Sequence, residues 1–458
     1  MKKTLFLFIL SALTFSCNSR SQNPVINGQI VGLTEKVIYI AGFDGDQEAV
    51  SDSVMTDTYG NFSFTLSDSY PAGMYRLILG KNSFLDLIYN HNDIGFTTTL
   101  ENPRENLKIT KSIENLIFYD YLRKKHAYQH KTDLLYPLIF EYPDTDPFHQ
   151  KIVDKFSALE SGFRDYTEQI IADNPNSLSA LYIMYDRPLP ADPGLAPEEH
   201  RIYLRNHYFK GLPYDDPRLL SLGVLPSSII GYLALYRDPE YSKQEQARQF
   251  TIAIDSIVHH MMSDEDIYHF TLQYLIEGFE VFGFDQVVEY IANNYSTDGA
   301  CINEKRKSEL ERRMENIQKL STGKIAPDIE FGRKSSAGSL EDIPSDYTLI
   351  VFWASWCTHC KAMMPDLIRY YNNSSRELFE IVSVSVDTSG SSYTRTISEL
   401  GIPWFTHADL KGWNTQPALD YNIYATPMMF LLDKKRKIVD KPANVYELKK
   451  KLTELNRE

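Results

Sequence analysis

The chain has 458 residues, enough for about three domains of ordinary size. Hydrophobic residues make up 43% of the chain, so it can bury sizeable cores. The formal net charge of −14 argues against a nucleic-acid-binding protein, which would carry clusters of basic residues, so no nucleic-acid partner is expected.

The first residues have the pattern of an export signal. Lys2 and Lys3 precede the short apolar run 5–13, and small residues follow it. The run is too short to span a bilayer as a permanent helix. The pattern predicts a signal peptide over residues 1–16 and an exported chain.

Residues 13–17, LTFSC, resemble a bacterial lipobox. The segment departs from that pattern because Leu13 stands one place early. The resemblance implies a lipidated Cys17 that anchors the protein in a membrane. The following residues carry no acidic cluster, and by resemblance to sorting signals this favours a periplasm-facing lipoprotein of the outer membrane. The alternative is an ordinary secretory signal with an incidental cysteine.

Residues 24–110 have the pattern of a small antiparallel β domain. Short segments rich in β-branched and aromatic residues alternate with Gly, Asn and Asp, at 36–40, 61–66, 74–80 and 94–100. A turn at Gly60-Asn61 is predicted to lead into a strand with Phe62 and Phe64 on one face. The region shows no catalytic constellation, so packing or assembly is its expected role.

Residues 111–322 change to a helical period. One predicted helix face consists of Ile152, Phe156, Leu159, Phe163, Tyr166 and Ile170. A second consists of Phe250, Ile254, Ile257, Val258 and Met261. The spacing predicts an α-helical region.

Three histidines in this region raise the question of a metal site. His259 and His260 are adjacent, so their side chains point about 100° apart on a helix and rarely share one ion. With His269 they are interpreted as part of a polar helix end and loop, and no metal is expected. Cys301 stands alone and is interpreted as a small, partly buried hydrophobe.

Residues 323–458 alternate strand and helix patterns, which makes the whole chain a multidomain α+β protein. Strands are predicted at 347–353, 380–387, 428–433 and 437–440, and helices at 358–371 and 445–457. This region has 17 basic and 17 acidic residues, so the acidic excess lies elsewhere in the chain.

The motif WCTHC contains Cys357 and Cys360, which are separated by two residues. A structural zinc site needs four ligands, and no second CXXC pair is present. A structural disulfide over so short a loop would constrain the unfolded chain little. Redox exchange fits best, because a buried strand leads into a helix that begins at Cys357. The helix start stabilises a thiolate, and Cys360 lies one turn further along.

The segments VFWASWCTHCK and ATPMMFLLD, at 351–361 and 425–433, resemble the thioredoxin fold. The segments at 326–331 and 409–427 resemble the TlpA/ResA-like branch of periplasmic thiol–disulfide oxidoreductases. The resemblance covers 323–458, under a third of the chain. It implies that the domain exchanges disulfides with proteins without a cofactor, and that a membrane-linked partner recharges it.

The resemblance also implies roles for individual residues. Cys357 would be the nucleophile and Cys360 the resolving thiol of a redox-active disulfide. Pro427 would be a cis-proline facing the pair, Thr426 would offer backbone groups to a bound peptide, and Trp356 would pack beside the site.

Two positions depart from the family pattern, and a third residue, His359, can carry a positive charge. Val351 and Met363 occupy the places where related proteins have proton-handling carboxylates, so slower or differently pH-dependent turnover is expected. His359 as an imidazolium would stabilise the Cys357 thiolate and raise the reduction potential. We expect a potential between about −270 mV and about −120 mV.

Two other functions compete with this one. In the alternative interpretation, residues 25–322 define a ligand- or partner-binding envelope lipoprotein, with the redox domain as an auxiliary. A peroxidase is disfavoured, because the activated-cysteine motif PXXX(T/S)XXC is not found.

Overall fold

The computed structural model describes residues 23–67, 69–189, 194–297, 304–331 and 338–456. By compactness the chain divides into two units. The first consists of Met1–Leu212 with Arg218–Ser228, and the second of Pro213–Pro217 with Ile229–Glu458. No helix among the described residues has both the length and the hydropathy needed to cross a bilayer.

Three predictions fall on residues that are not described. The signal peptide at 1–16, Cys17 and Cys301 all lie outside the described ranges. The predicted domain boundaries stay predictions, although the chain does change from strand to helix between Lys111 and Ile113.

The first unit begins with eight strands. They are β1 (Val25–Val31), β2 (Val37–Asp44), β3 (Gln47–Met55), β4 (Asn61–Thr65), β5 (Gly73–Gly80), β6 (Ser83–Tyr89), β7 (Ile94–Thr99) and β8 (Lys108–Lys111). They form two four-stranded sheets with the orders β4-β1-β7-β8 and β3-β2-β5-β6. Among the described strands of this unit the pairings are antiparallel, except that β1 and β7 run parallel.

The turn before β4 shows why this sequence folds locally as it does. Gly60 has φ 78°, and a Cβ there would lie 2.1 Å from the carbonyl oxygen of Ile30. The turn brings Phe62 and Phe64 onto the buried face, where their ring centroids are 5.8 Å apart. The predicted turn and the shared face of the two phenylalanines are confirmed.

Helices complete the first unit. They are α1 (Ile113–Glu141), α2 (Pro147–Asp173), α3 (Leu178–Asp186), α4 (Pro197–His207) and α5 (Arg218–Leu222), and α6 (Val224–Ala234) contains the division between the units. The predicted apolar face of α2 is confirmed, since Ile152 and Phe156 are buried and the other four residues are half-buried. The helix begins at Asp146, whose carboxylate accepts from the N–H of Phe148.

The second unit continues with helices α7 (Lys243–Met261), α8 (Glu265–Val281), α9 (Asp285–Asn294) and α10 (Glu304–Lys319). The predicted face of α7 is confirmed, because Ile254, Ile257, Val258 and Met261 are buried. Ser242 starts this helix and accepts from the N–H of Glu245.

The rest of the second unit is an α/β domain. Its strands are β9 (Tyr347–Trp353), β10 (Phe379–Ser385), β11 (Phe405–His407), β12 (Met428–Asp433) and β13 (Ile438–Asp440). Its helices are α11 (Thr358–Asn372), α12 (Gly390–Leu400), α13 (Gln416–Asp420) and α14 (Val445–Leu455). The predicted fold class, with strands first, helices next and a thioredoxin-like α/β domain last, is confirmed.

The sheet of this domain has the order β11-β10-β9-β12-β13. The strands β9, β10 and β11 run parallel, whereas β12 is antiparallel to β9 and to β13. Six of the seven residues of β9 are buried, as expected for a strand covered on both faces. The parallel arrangement brings the carboxyl ends of three strands to one edge, where the cysteine pair lies.

An ion pair connects this domain to the helices of the same unit. Lys441, directly after β13, lies 2.7 Å from the carboxylate of Glu289 on α9, and both side chains are more than four-fifths buried. The same carboxylate accepts from the N–H of Thr322. Helix α9 and the α/β domain are therefore joined by a partly desolvated contact.

Candidate active site

The cysteine pair lies where β9 turns into α11. Cys357 has extended backbone angles (φ −76°, ψ 113°) and is the N-cap residue directly before α11. Its Sγ lies 3.1 Å from the N–H of Cys360, one of the donors that a helix start leaves unpaired. The helix terminus also carries partial positive charge. This environment favours negative charge on the sulfur of Cys357.

The two cysteines differ in accessibility. They form a disulfide with their Cα atoms 5.3 Å apart. Cys357 keeps 6% of its surface exposed, and Cys360 is fully buried. A substrate approaching from solvent therefore meets the sulfur of Cys357 first.

The loop that precedes β12 faces this sulfur. The carbonyl oxygen of Thr426 lies 3.4 Å from Sγ of Cys357, and the Thr426–Pro427 peptide bond is cis. Both residues are half-buried, and β12 begins directly after them. The two segments that sequence comparison implied for the site are thus adjacent, although 69 residues separate the contacting residues.

The surface around the pair is aromatic. Trp356 is 57% exposed and Trp413 is 39% exposed, and their ring centroids are 6.1 Å apart. Trp356 is therefore not a core residue. Trp413 lies on the short 3-10 helix Gly412–Asn414, and the sequence analysis missed it. Exposed indole rings give this edge an apolar contact surface beside Cys357.

The histidine of the WCTHC motif, His359, faces solvent. His359 is exposed on the first turn of α11, and Lys361 follows it, also exposed. Water screens both charges, so their influence on the cysteine pair is weaker than that of a buried group. His407, by contrast, is half-buried at the end of β11, where burial lowers its pKa and the nearby Asp409 partly opposes that shift.

The two positions at which related proteins have carboxylates hold apolar residues in apolar surroundings. Val351 is fully buried within β9, and Met363 is half-buried on α11. The structure instead has a carboxylate that the sequence analysis missed, Asp387, which is 1% exposed and follows β10. Its position just after a buried parallel strand could have identified it as a site residue, because the carboxyl ends of such strands meet at one edge of the sheet.

A cavity of about 240 Å³ opens beside the loop that faces the sulfur. Pro427 and Tyr424 form part of its wall, and Glu280 of α8 and Ile317 of α10 form another part. Although Tyr424 is 53% exposed, partial desolvation and the charges of Glu280 and Asp285 raise the pKa of its hydroxyl. The helices of the second unit thus reach the neighbourhood of the cysteine pair.

The histidines of the helical region do not form a site. Among the described residues, no group of three or more His, Cys, Asp or Glu side chains is arranged to hold a metal. His259 is exposed, and His260 is hydrogen-bonded to the carbonyl oxygen of Ser256. The interpretation of His269 as part of a polar helix end or loop is wrong. It lies within α8 and is fully buried, because the buried face of that helix includes it.

A cysteine pair at a helix start, on a thioredoxin-like sheet and faced by a cis-proline loop, defines a thiol–disulfide oxidoreductase. A family model described as "Thioredoxin-like" matches residues 345–438. The thioredoxin-like protein YneN of Bacillus subtilis is 30% identical over 129 residues, 26% of this chain and 71% of the relative. This chain belongs to the thioredoxin-like family, as a member of its TlpA/ResA-like branch.

The chain is also similar to two proteins named thiol-disulfide oxidoreductases. The thiol-disulfide oxidoreductase ResA of Bacillus cereus is 27% identical over 129 residues, 27% of this chain and 70% of the relative. The solved thioredoxin domain of a thiol-disulfide oxidoreductase from Bacteroides vulgatus is 28% identical, with a TM-score of 0.28. That similarity covers 30% of this chain and 98% of the other. The relatives YneN and ResA confirm the predicted membership of the TlpA/ResA-like branch.

Proposed function

We propose that this protein reduces disulfides of other proteins in the cell envelope. The observation that carries the proposal is the position of Cys357 at the start of α11. Cys357 keeps 6% of its surface exposed, and its Sγ lies 3.1 Å from the N–H of Cys360. A thiolate at such a position is stabilised before any substrate arrives, which is the requirement for rapid attack on a disulfide.

In the proposed reaction the reduced protein acts first through Cys357. Its thiolate attacks one sulfur of the substrate disulfide, forming a mixed disulfide and expelling the other substrate sulfur as a thiolate, which takes a proton from water. Cys360 then loses its proton to solvent and attacks Sγ of Cys357. The second substrate sulfur leaves, two electrons have passed to the substrate, and the Cys357–Cys360 disulfide remains.

The loop and the tryptophans supply contacts for a polypeptide substrate in this proposal. The backbone of Thr426, whose carbonyl oxygen is 3.4 Å from Sγ of Cys357, would pair with the substrate chain beside its disulfide. Trp356 and Trp413 would cover apolar side chains of the substrate. These contacts favour a protein over a small disulfide as the substrate.

The location of the protein follows from the sequence pattern. We propose export by the signal at 1–16, lipidation of Cys17 and attachment to the outer membrane with the protein facing the periplasm. Each turnover leaves the Cys357–Cys360 pair as a disulfide, and a compartment that permits disulfides does not reduce it, so a membrane-linked reductant would have to recharge it. This partner would donate two electrons to the Cys357–Cys360 disulfide.

Trapping in cells tests the substrate class and the location together. In a Cys360→Ser variant the first attack proceeds but the second cannot, so mixed disulfides on Cys357 are expected to accumulate. Purification under non-reducing conditions and mass spectrometry of the attached proteins would identify them. We expect exported proteins with disulfides.

The matched control is the double variant Cys357→Ser with Cys360→Ser, which retains Cys301 and should trap nothing. Attached proteins that are all cytoplasmic would refute the proposed location. Equal trapping by the single and double variants would refute the role of Cys357.

His359 is proposed to raise the reduction potential. Replacing it by Gln removes a group that can carry positive charge beside the thiolate, so the potential is expected to fall by about 10 mV. Equilibration of both proteins with glutathione redox buffers measures the difference. Arg369→Gln, on the last turn of α11, is the control and should leave the potential unchanged. A His359→Gln variant with the wild-type potential would remove this role.

A further inference from the structure

The carboxylate of Asp387 lies in a fully formed buried site next to the cysteine pair. It is 1% exposed, and both serines that contact it are also buried. Its oxygens accept from the N–H of Ser355 at 2.8 Å, from the hydroxyl of Ser355 at 2.5 Å and from the hydroxyl of Ser385 at 2.6 Å. Its own N–H donates to the hydroxyl of Ser385 at 3.0 Å. The cost of burying this charge is therefore offset by three hydrogen bonds.

These bonds connect two different segments of the chain. Ser355 belongs to the turn between β9 and α11, two residues before Cys357, whereas Ser385 and Asp387 lie at the end of β10. The strand ladder between β9 and β10 ends here, since Ser385 pairs with Trp353 and the N–H of Val386 donates to the carbonyl oxygen of Trp353. Beyond the last paired residues, the hydrogen bonds of Asp387 to Ser355 connect the turn after β9 to the end of β10.

The turn determines where the sulfur of Cys357 lies. The N–H of Cys357 donates to the carbonyl oxygen of Ala354 at 3.1 Å, so the residues on both sides of Ser355 are linked across it. A turn held by Ser355 keeps Sγ of Cys357 in front of the N–H of Cys360. A turn that moved freely would spend part of its time with this contact broken, and the thiolate would lose that stabilisation.

We propose that Asp387 is a positioning residue, which holds Ser355 so that the thiolate of Cys357 stays at the start of α11. The proposal rests on the proposed function, because it concerns the reactivity of the same sulfur. Asp387 acts in it through its hydrogen bonds. It contacts neither the substrate nor the reacting sulfur atoms.

A buried carboxylate also acts through its charge, and that effect has the opposite sign. A negative charge near Cys357 disfavours the thiolate, so removing the charge alone would make the thiol more acidic. Asn in place of Asp387 has the same size and can satisfy the same partners. Its carbonyl oxygen can accept from the N–H of Ser355, and its N–H can donate to a serine hydroxyl that rotates. Ala removes both the charge and the hydrogen bonds.

The test compares Asp387→Ala with Asp387→Asn in the full-length chain carrying Cys360→Ser. The rate of alkylation of Cys357 by iodoacetamide is measured at about pH 6 and about pH 10, with mass spectrometry to locate the adduct. At about pH 6 we expect Asp387→Ala to react about tenfold more slowly than the parent, and Asp387→Asn to stay within about threefold. At about pH 10 all three should react equally, because the thiol is then ionised in each.

Two results would overturn the proposal. One is an Asp387→Ala variant that reacts at the parent's rate at about pH 6. The other is faster reaction of both variants, which would assign the effect to charge. If circular dichroism shows that Asp387→Ala does not fold, Ser355→Ala decides, since it removes one of the three bonds. Slower reaction at about pH 6 supports the proposal, and an unchanged rate refutes it. The alkylation rate of the Cys360→Ser parent at about pH 6, compared with that of a cysteine in a short peptide, tests the proposed function separately.

Discussion

Replacing Cys357 by Ser is expected to abolish disulfide exchange, with a loss of about a thousandfold or more. A serine hydroxyl is a far weaker nucleophile than a thiolate and cannot form the mixed disulfide. Cys360 cannot substitute for it, because its side chain is fully buried. Reduction of a protein disulfide by the pre-reduced protein, followed as loss of the substrate's disulfide in a single turnover, measures the effect.

Cys301→Ser is the matched control and should keep full activity, because the sequence assigns Cys301 no part in the exchange. A Cys357→Ser protein that retained more than a few per cent of the rate would show that another thiol performs the first attack.

Replacing Phe430 by Ala is expected to cost about 4 kcal/mol in the free energy of unfolding. Phe430 is 1% exposed on β12, and its ring lies 5.0 Å from that of Tyr421 and 6.1 Å from that of Phe352, centroid to centroid. A large cavity would therefore form in the centre of the α/β domain. Urea unfolding followed by tryptophan fluorescence measures the loss, since all four tryptophans of the chain lie in this domain.

Tyr446→Ala on α14 is the control, because this side chain is 76% exposed and its loss should change the stability by less than about 0.5 kcal/mol. Exchange activity should also fall in Phe430→Ala on warming, since Thr426 and Pro427 directly precede β12. A cost below about 1 kcal/mol would contradict the packing described for this strand.

The site was predictable where its signal is local. Two cysteines three positions apart, after an apolar strand and before a helical period, are one continuous stretch of sequence. The structure places them at the carboxyl end of β9 as that pattern indicates. Asp387 and Trp413 were missed because their partners Ser355 and Trp356 are distant along the chain. Their contacts depend on how the strands and loops meet, which no local pattern encodes.

The fold followed the same rule. The strand β9 is almost wholly apolar and was predicted with its bounds. The strand β3 was missed because all its residues except Val54 are exposed and its apolar residues do not alternate with polar ones. It forms because it pairs with β2 in a hairpin over eight residue pairs. The strand β1 contains Asn27 and Gly28, which interrupt its apolar pattern, and its parallel pairing with β7 joins distant parts of the chain.

The burial of His269 on α8 was predicted wrongly for a different reason. His269 follows the acidic residues Asp264, Glu265 and Asp266, and this polar context predicted a solvated helix end. In the structure Asp264 is the residue at which the helix begins, and His269 lies on the face that packs against the core together with Phe270 and Leu272. Tertiary packing, rather than the composition of the neighbouring residues, decides its burial.

The most direct measurement of the central claim is the pH profile of Cys357 alkylation in the reduced protein. The start of α11 and the N–H of Cys360 are expected to lower the pKa of the Cys357 thiol at least about one unit below the ordinary value of about 8.5. Alkylation at about pH 7 should then be several times faster than that of a cysteine in a short peptide, after correction for accessibility at about pH 10. A profile that follows the peptide's would contradict an activated thiolate, and with it the proposed reaction.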